Sequence, residues 1–434
     1  MSAAAQAQGE RPPRKNLSLL KASADLRTES RLWFDRLRRE VFEQGKPYVI
    51  ASPNTANEVF EALDLPFMTD VWYSALVAAR RQSKYYSDYL AGLGFHDGLS
   101  RYGSLATAVL FDESNPDKPW GGLSQPAMVV GTGGRAGAIL AERYQIPFIN
   151  VESPAQKRLN ANWWEMSRWQ WEDFEGSDRI DMMVAQMKEL VTAAEQVAGK
   201  KMDYDRLQQV LDKVNEQEEY LDKVRDLVCA APKMPLRMTE TMNQTVGINW
   251  HRGTDWAVGR AKAFYEEVKQ RVENHQWVVP GEKYRMGYSG TFPSQALEFF
   301  SKFEESHGAV WVRSNYLGFV ADIYPRYGGR DPLRALAARV ATHSAHMHQP
   351  PAGAAWQLWD YQRHRVVAGL QLTTWPGGKY HKNVLEANGI PMQWFGGDPV
   401  DANKWDEDRL TREVAQFLET RVEQAYRERR AQYA

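Results

Sequence analysis

Cysteine is nearly absent: Cys229 is the only one in a chain of 434 residues. That excludes an intrachain disulfide, a zinc finger and an all-cysteine iron–sulfur site held by this chain alone. Long apolar runs are missing too, and no stretch approaches the length of a membrane span. Neither sign of charge is in excess. The 54 Lys and Arg against 55 Asp and Glu leave a net charge of −1, so there is no basic field for nucleic-acid binding. Residues 1–16, rich in Ala, Gln, Pro and Arg, lack the apolar core of a secretory signal and read as disordered. No targeting segment and a single thiol point to the cytoplasm. Cys229, at the end of a predicted helix, reads as a buried, inert thiol.

What is present is a repeated strand–turn–helix–strand pattern. Met128 to Val130 is a short apolar run of the kind that forms a buried parallel strand. A Gly131-Thr132-Gly133-Gly134 turn follows, then a helix over 135–144, then a strand opened by Ile146-Pro147. The unit recurs at 47–70, at 284–314 and at 366–398, where Gly377-Gly378 forms the turn and Ile390-Pro391 opens the second strand. Four copies, two in each half, predict two similar α/β domains with parallel sheets and an old duplication. The expected limits are 17–155 for the first α/β domain, 156–281 for a helical connecting segment, 282–400 for the second α/β domain and 401–434 for a C-terminal helix.

Around these units the periodicity predicts helices over 22–44, 73–93, 177–197, 204–228 and 410–432, with Asp203 or Asp205 as a cap. Residues 95–125, rich in Gly, Pro and Asp, hold a shorter buried stretch at 106–111. The polar, aromatic segment Asn249 to Trp256 begins a further helix to about 274. Tryptophan is abundant, with 16 residues, several of them in 163–171. Such rings either line apolar pockets and interfaces or fill the core at helical spacing.

The order of elements resembles the subunits of 2-hydroxyacyl-CoA dehydratases and ATP-dependent benzoyl-CoA reductases. The resemblance runs from about residue 45 onward. It is carried by His251-Arg252-Gly253-Thr254-Asp255, by Glu282-Lys283-Tyr284-Arg285 leading to Gly290, by Asp331-Pro332-Leu333 and by Gly397-Asp398-Pro399. It implies two flavodoxin-like (Rossmann-like) parallel-sheet domains joined by a helical segment, pairing with a homologous second subunit in a heterodimer or heterotetramer, and an acyl-CoA thioester as substrate. Family subunits hold a [4Fe–4S] cluster through cysteines on the turns after the strands. Here those positions carry Gly134 and Arg135, then His343, His346 and His348, then Trp375, Gly377 and Gly378. The expectation is a member without the cluster and with no permanently bound cofactor.

Candidate site residues follow from the chemistry of strand ends. Glycine-rich helix starts present unpaired N–H groups and the positive end of the helix dipole, a cradle for an anion such as a CoA phosphate. Gly133, Gly134 and Arg135 form one such start, and Trp375, Gly377, Gly378 and Lys379 the other. Arg135 and Lys379 either pair with an anion or stand as solvated surface cations. The glycines of 131–137, with Glu152 beyond, also fit a dinucleotide fingerprint; because such turns recur without the full pattern, turn geometry accounts for them. Arg252 is expected to face the cleft between the domains, with a structural ion pair as the alternative. His343, His346 and His348 have no H-E-x-x-H pattern or nearby acid to support zinc, so His343 is expected to line the cleft, with simple exposure as the alternative. Glu152 and Asp398 end strands, where open parallel sheets carry their sites. Each is either a nucleophile or base toward a thioester or a turn acid.

The expected function is therefore non-redox CoA transfer within a heteromeric acyl-CoA-processing enzyme. The transfer would be intramolecular, between the carboxyls of an aryl-substituted dicarboxylyl-CoA, as in anaerobic aromatic or hydrocarbon degradation. The catalytic candidates are Glu152, Asp398 and His343. The competing reading is a non-catalytic or redox partner subunit of a dehydratase or benzoyl-CoA reductase-type complex.

Overall fold

Prolines mark three of the four outer strands. A proline has no N–H to give to a sheet, so it is tolerated at the start of an edge strand. Pro66, Pro147 and Pro391 each lie one residue before such a strand, and each carbonyl accepts the first hydrogen bond of the ladder: from Val49 (2.9 Å), Val129 (3.0 Å) and Gly369 (2.9 Å) respectively. The structure is a computed structural model that describes residues 20–95, 101–131, 135–153, 162–312, 317–318, 324–343, 350–372, 378–401 and 404–433.

Among the described residues eight strands form two sheets. The first holds β1 (Val49–Ala51), β2 (Phe67–Thr69), β3 (Met128–Gly131) and β4 (Phe148–Asn150) in the order β2-β1-β3-β4. The second holds β5 (Tyr284–Ser289), β6 (Ala309–Val312), β7 (Ala368–Leu372) and β8 (Met392–Phe395) in the order β6-β5-β7-β8. Every pairing is parallel. The two halves thus repeat one topology, and the expected α/β class with two flavodoxin-like sheets is what is found. In each sheet the strand order reverses between the first and third strands, at β1/β3 and β5/β7. Ligands of open parallel sheets bind at the carboxyl ends beside such a switch point.

Both faces of each sheet are covered. In the first, Val49, Ala51, Met128 and Val130 join a core built on helices Ser177–Ala198, Tyr204–Ala230 and Pro332–Thr342. Ile50, Met68 and Val129 point the other way, toward Phe34, Leu37, Trp72, Tyr73 and Val109. This is the period of two that a pleated strand imposes. In the second sheet, Met286, Tyr288, Leu370 and Leu372 pack on Phe299, Phe300 and the C-terminal helical residues Leu410, Val414 and Phe417. Val310 and Val312 face Phe264, Val268 and Leu385. The helices of 156–281 therefore cover sheets rather than span a gap. Helix Pro332–Thr342 crosses over to the first sheet.

Local details depart from the sequence reading. The helix expected over 73–93 is two, Asp70–Ala79 and Ser83–Gly92, because Arg81 takes the left-handed conformation (φ 58°) with no Gly or Pro to announce it. The stretch at 106–111 is the end of a helix, Arg101–Phe111. Asp203 caps the Tyr204–Ala230 helix, accepting from the N–H of Asp205 (3.0 Å) and Arg206 (3.2 Å). Cys229 is half-buried rather than buried. Most tryptophans of 163–171 are core: Trp163, Trp164 and Trp171 are buried, while Trp169 is exposed. Among the described residues no helix is long and apolar enough to cross a membrane.

Candidate functional site

At the carboxyl end of the first sheet the chain turns after β1 through Ser52 to Asn57 and enters a short helix, Glu58–Ala62. Glu58 is fully buried (0% exposed). Its carboxylate accepts from Arg252 Nε (2.8 Å) and Nη2 (3.1 Å), from Arg339 Nη1 (2.5 Å) and from the Tyr324 hydroxyl. Burial alone would raise its pKa; the two guanidiniums and the hydrogen bonds outweigh burial and hold it down to about 2. Arg252 spends its other N–H groups on the carbonyls of Pro53 (3.1 Å), Asn249 (3.0 Å) and Thr55 (2.5 Å). The expectation that Arg252 faces a cleft is thereby corrected: it is 2% exposed and clamps the β1 turn to the helical segment.

The rest of that motif is equally structural. Gly253 has φ 82°, and a Cβ there would stand 2.4 Å from Val210 Cγ1. Its N–H donates to Gln217 Oε1 (3.2 Å). Thr254 caps the next helix through the N–H of Ala257 (3.1 Å). His251 is buried among the rings of Trp33, Trp72 and Trp256, and burial pushes its pKa down to about 3. Glu218, next to Gln217, has its pKa pushed up to about 8 by burial, against the nearby Arg326.

The second sheet presents a different surrounding. Ser289 ends β5, and its Oγ lies 2.9 Å from the Tyr361 hydroxyl. Gln357 Nε2 donates to the same Oγ. Gln357 Oε1 lies 2.7 Å from His381 Nδ1. Residues 357 and 361 are one turn apart on the buried face of helix Ala352–Arg363, which is why both reach the strand. Gly287 makes room, since a Cβ there would stand 2.3 Å from Tyr361 Cζ. Ser289, Gln357, Tyr361, Gln371 and His381 are all buried. Burial pushes His381 down to about 4, so its ring is neutral at physiological pH. The sequence reading missed this group; its only sequence signal is the Ser289-Gly290 turn.

Of the sequence-derived candidates, Arg135, Lys379, Glu152 and Asp398 lie just past strand ends. Arg135 opens helix Arg135–Tyr144 after β3, and Lys379 lies in helix Gly378–Ala387 after β7; both are exposed. Gly378 is buried, where a Cβ would stand 3.1 Å from Gln371 Nε2. Glu152 is exposed after β4, with its carboxylate accepting from Asn150 Nδ2 (2.5 Å) and its backbone clasped by Gln186. Asp398, after β8, is buried and accepts from the N–H of Val400 (3.0 Å) and Asp401 (2.9 Å). His343 is buried at the end of helix Pro332–Thr342. Gly133, Gly134, Trp375 and Gly377, with His346 and His348, lie outside the described residues.

A cavity of about 490 Å³ opens between helices Trp163–Trp169, Tyr204–Ala230 and Ala352–Arg363, with Trp164, Arg168, Trp359 and Arg363 in its wall. Among the described residues no group of three or more His, Cys, Asp or Glu is placed to hold a metal ion. A four-iron cluster does not fit the donor set of this chain. The one thiol, Cys229, lies in the last turn of the Tyr204–Ala230 helix, and a single thiolate cannot hold four irons.

The family model for the 2-hydroxyglutaryl-CoA dehydratase D-component matches residues 132–421, well over half of the chain. The chain belongs to that family. No curated protein matches it.

Proposed function

We propose that this member of the family is a cluster-free subunit of an acyl-CoA-processing complex, working beside a homologous partner, and that its reaction is CoA transfer without redox chemistry. The observation that carries the reading is the cysteine placement: family membership brings an acyl-CoA thioester, while the sole thiol lies in the last turn of the Tyr204–Ala230 helix, beside Arg285 and Arg365 at the amino ends of β5 and β7, not at a carboxyl end where the turns after the strands lie.

Glu152, exposed at the end of β4, is the nucleophile of this reading. Its carboxylate attacks the thioester carbonyl, the carbon–sulfur bond breaks, and a mixed anhydride and the CoA thiolate result. The thiolate then attacks the Glu152 carbonyl, giving an enzyme thioester and freeing the acyl carboxylate. A second carboxylate of the same acyl group repeats the sequence in reverse, and CoA ends on the other carboxyl. Arg135 and Lys379, exposed at helix starts, are the cations offered to the phosphates. The many tryptophans suit an aryl-substituted acyl group.

The second reading is a non-catalytic or redox partner subunit. It is favoured by the engagement of Asp398 with two backbone N–H groups, the arrangement of a turn acid. The test is to co-express the chain with its partner and incubate the complex with one regioisomer of an aryl-substituted dicarboxylyl-CoA. Interconversion of regioisomers by an iron-free complex, lost in Glu152→Gln, supports transfer. An iron-containing complex without interconversion overturns it in favour of the partner reading.

A further inference from the structure

The second sheet's switch point carries two buried acceptors with nothing to accept. Gln371 Nε2 lies toward two carbonyls, those of Ser289 (3.5 Å) and Leu372 (3.5 Å), the orientation in which the amide donor meets acceptors. Its Oε1 is then left with no hydrogen-bond partner among the described residues. His381 is fixed in the same way. Gln357 gives its N–H to Ser289, so its Oε1 takes the Nδ1 proton of His381. The lone pair of the neutral ring is therefore on Nε2, which has no partner and is buried. His381 is 1% exposed. The Gly378–Ala387 helix, which carries His381, starts against the Gln371 side chain, and both residues are tied to Ser289, Gln371 through the Ser289 carbonyl and His381 through Gln357. A buried polar atom left unsatisfied is costly, and a neutral imidazole held by a locked amide chain offers a strong acceptor of defined direction.

We propose that this corner, His381 Nε2 with Gln371 Oε1, is a ligand-binding position that takes a neutral N–H or O–H donor. In the acyl-CoA reading, on which this choice of ligand rests, two sources supply that donor: an amide or hydroxyl of the pantetheine arm, and a hydroxyl on the acyl group. Gln357, Ser289 and Tyr361 are positioning residues; they hold the ring in the tautomer that accepts.

The test uses the co-expressed complex labelled with ¹⁵N-histidine and three probes: free coenzyme A, glutaryl-CoA and 2-hydroxyglutaryl-CoA. The Nε2 resonance of His381, assigned by its loss in His381→Gln, starts at the position of a bare ring nitrogen. A shift with all three probes assigns the donor to the pantetheine arm. A shift with 2-hydroxyglutaryl-CoA alone assigns it to the acyl hydroxyl. Either result supports the proposal, and His381→Leu then weakens the shifting probe about tenfold, the value of one hydrogen bond. If the probes bind with no shift, the proposal is overturned and the CoA reading stands. If no probe binds, the CoA reading falls and takes this ligand with it. Should His381→Leu misfold, the resonance of the unaltered protein still decides.

Discussion

The turn beyond β1 and the corner at the ends of β5 and β7 both lie at the switch point of their sheet, yet their chemistry is opposite. Beyond β1 the charged groups are answered: Glu58 meets two arginines and a tyrosine, and Arg252 fills its remaining donors with carbonyls. A charge so fully paired has nothing left for a ligand. At β5 and β7 the groups are neutral, and two acceptors have no partner among the described residues. The first corner is a joint between distant parts of the chain, while the second is where the proposed ligand would be held.

The largest effect should come from breaking the joint. Glu58→Ala leaves two guanidiniums buried without a counter-charge, and unfolding in urea should show a loss of about 3–5 kcal/mol. A loss under about 1 kcal/mol would mean that water reaches the pair.

The same carboxylate gives the joint an acid signature. Its folded pKa lies below the ordinary value of 4.5, at about 2. The unfolded chain binds the proton first, so this contribution is complete above pH 4.5 and is lost as pH falls toward 2. Glu218 runs the other way. Its folded pKa is raised from 4.5 to about 8, so the folded chain holds the proton and stability falls as pH rises through that window. Glu218→Gln should flatten the slope of urea stability between those two pH values; an unchanged slope would show that Glu218 is ionised in the fold.

At the second sheet a smaller packing effect separates the regions. Gly287→Ala forces a methyl against Tyr361 and should cost about 1–3 kcal/mol. It should also disturb the His381 resonance, while the urea stability of Glu58 variants falls by the same increment as before, since the two sites share no hydrogen-bond partner among the described residues.

The smallest effect is at the surface. Lys379→Ala or Arg135→Ala should weaken coenzyme A binding about three- to tenfold, with less dependence on salt, and leave stability unchanged. If neither moves the dissociation constant, the helix starts are turn formers only.

The strands were legible because they are short apolar runs bounded by turn residues, and because Ile-Pro pairs recur at edge strands. Long helices were legible from spacing and from the Asp203 cap. Glu58 was not. In sequence it is one acid at the start of a short helix, where a solvated side chain is the ordinary outcome. Its partners lie 194 and 281 residues away, and nothing local signals either pairing. Arg252 looked like a cleft residue because a polar aromatic segment reads as exposed; its neighbours came from elsewhere in the chain. His381 was passed over because its partner Gln357 lies on another helix, 24 residues earlier.

The sequence by itself determined the period, order and direction of the elements. Those depend on backbone preferences and on which side chains avoid water, properties that each short segment carries alone. The tertiary structure alone decided which polar groups are answered and which are left bare. Hydrogen bonds and ion pairs in a buried site depend on distances of a few ångströms between segments far apart in the chain. Only the packing of helices on both faces of each sheet sets those distances.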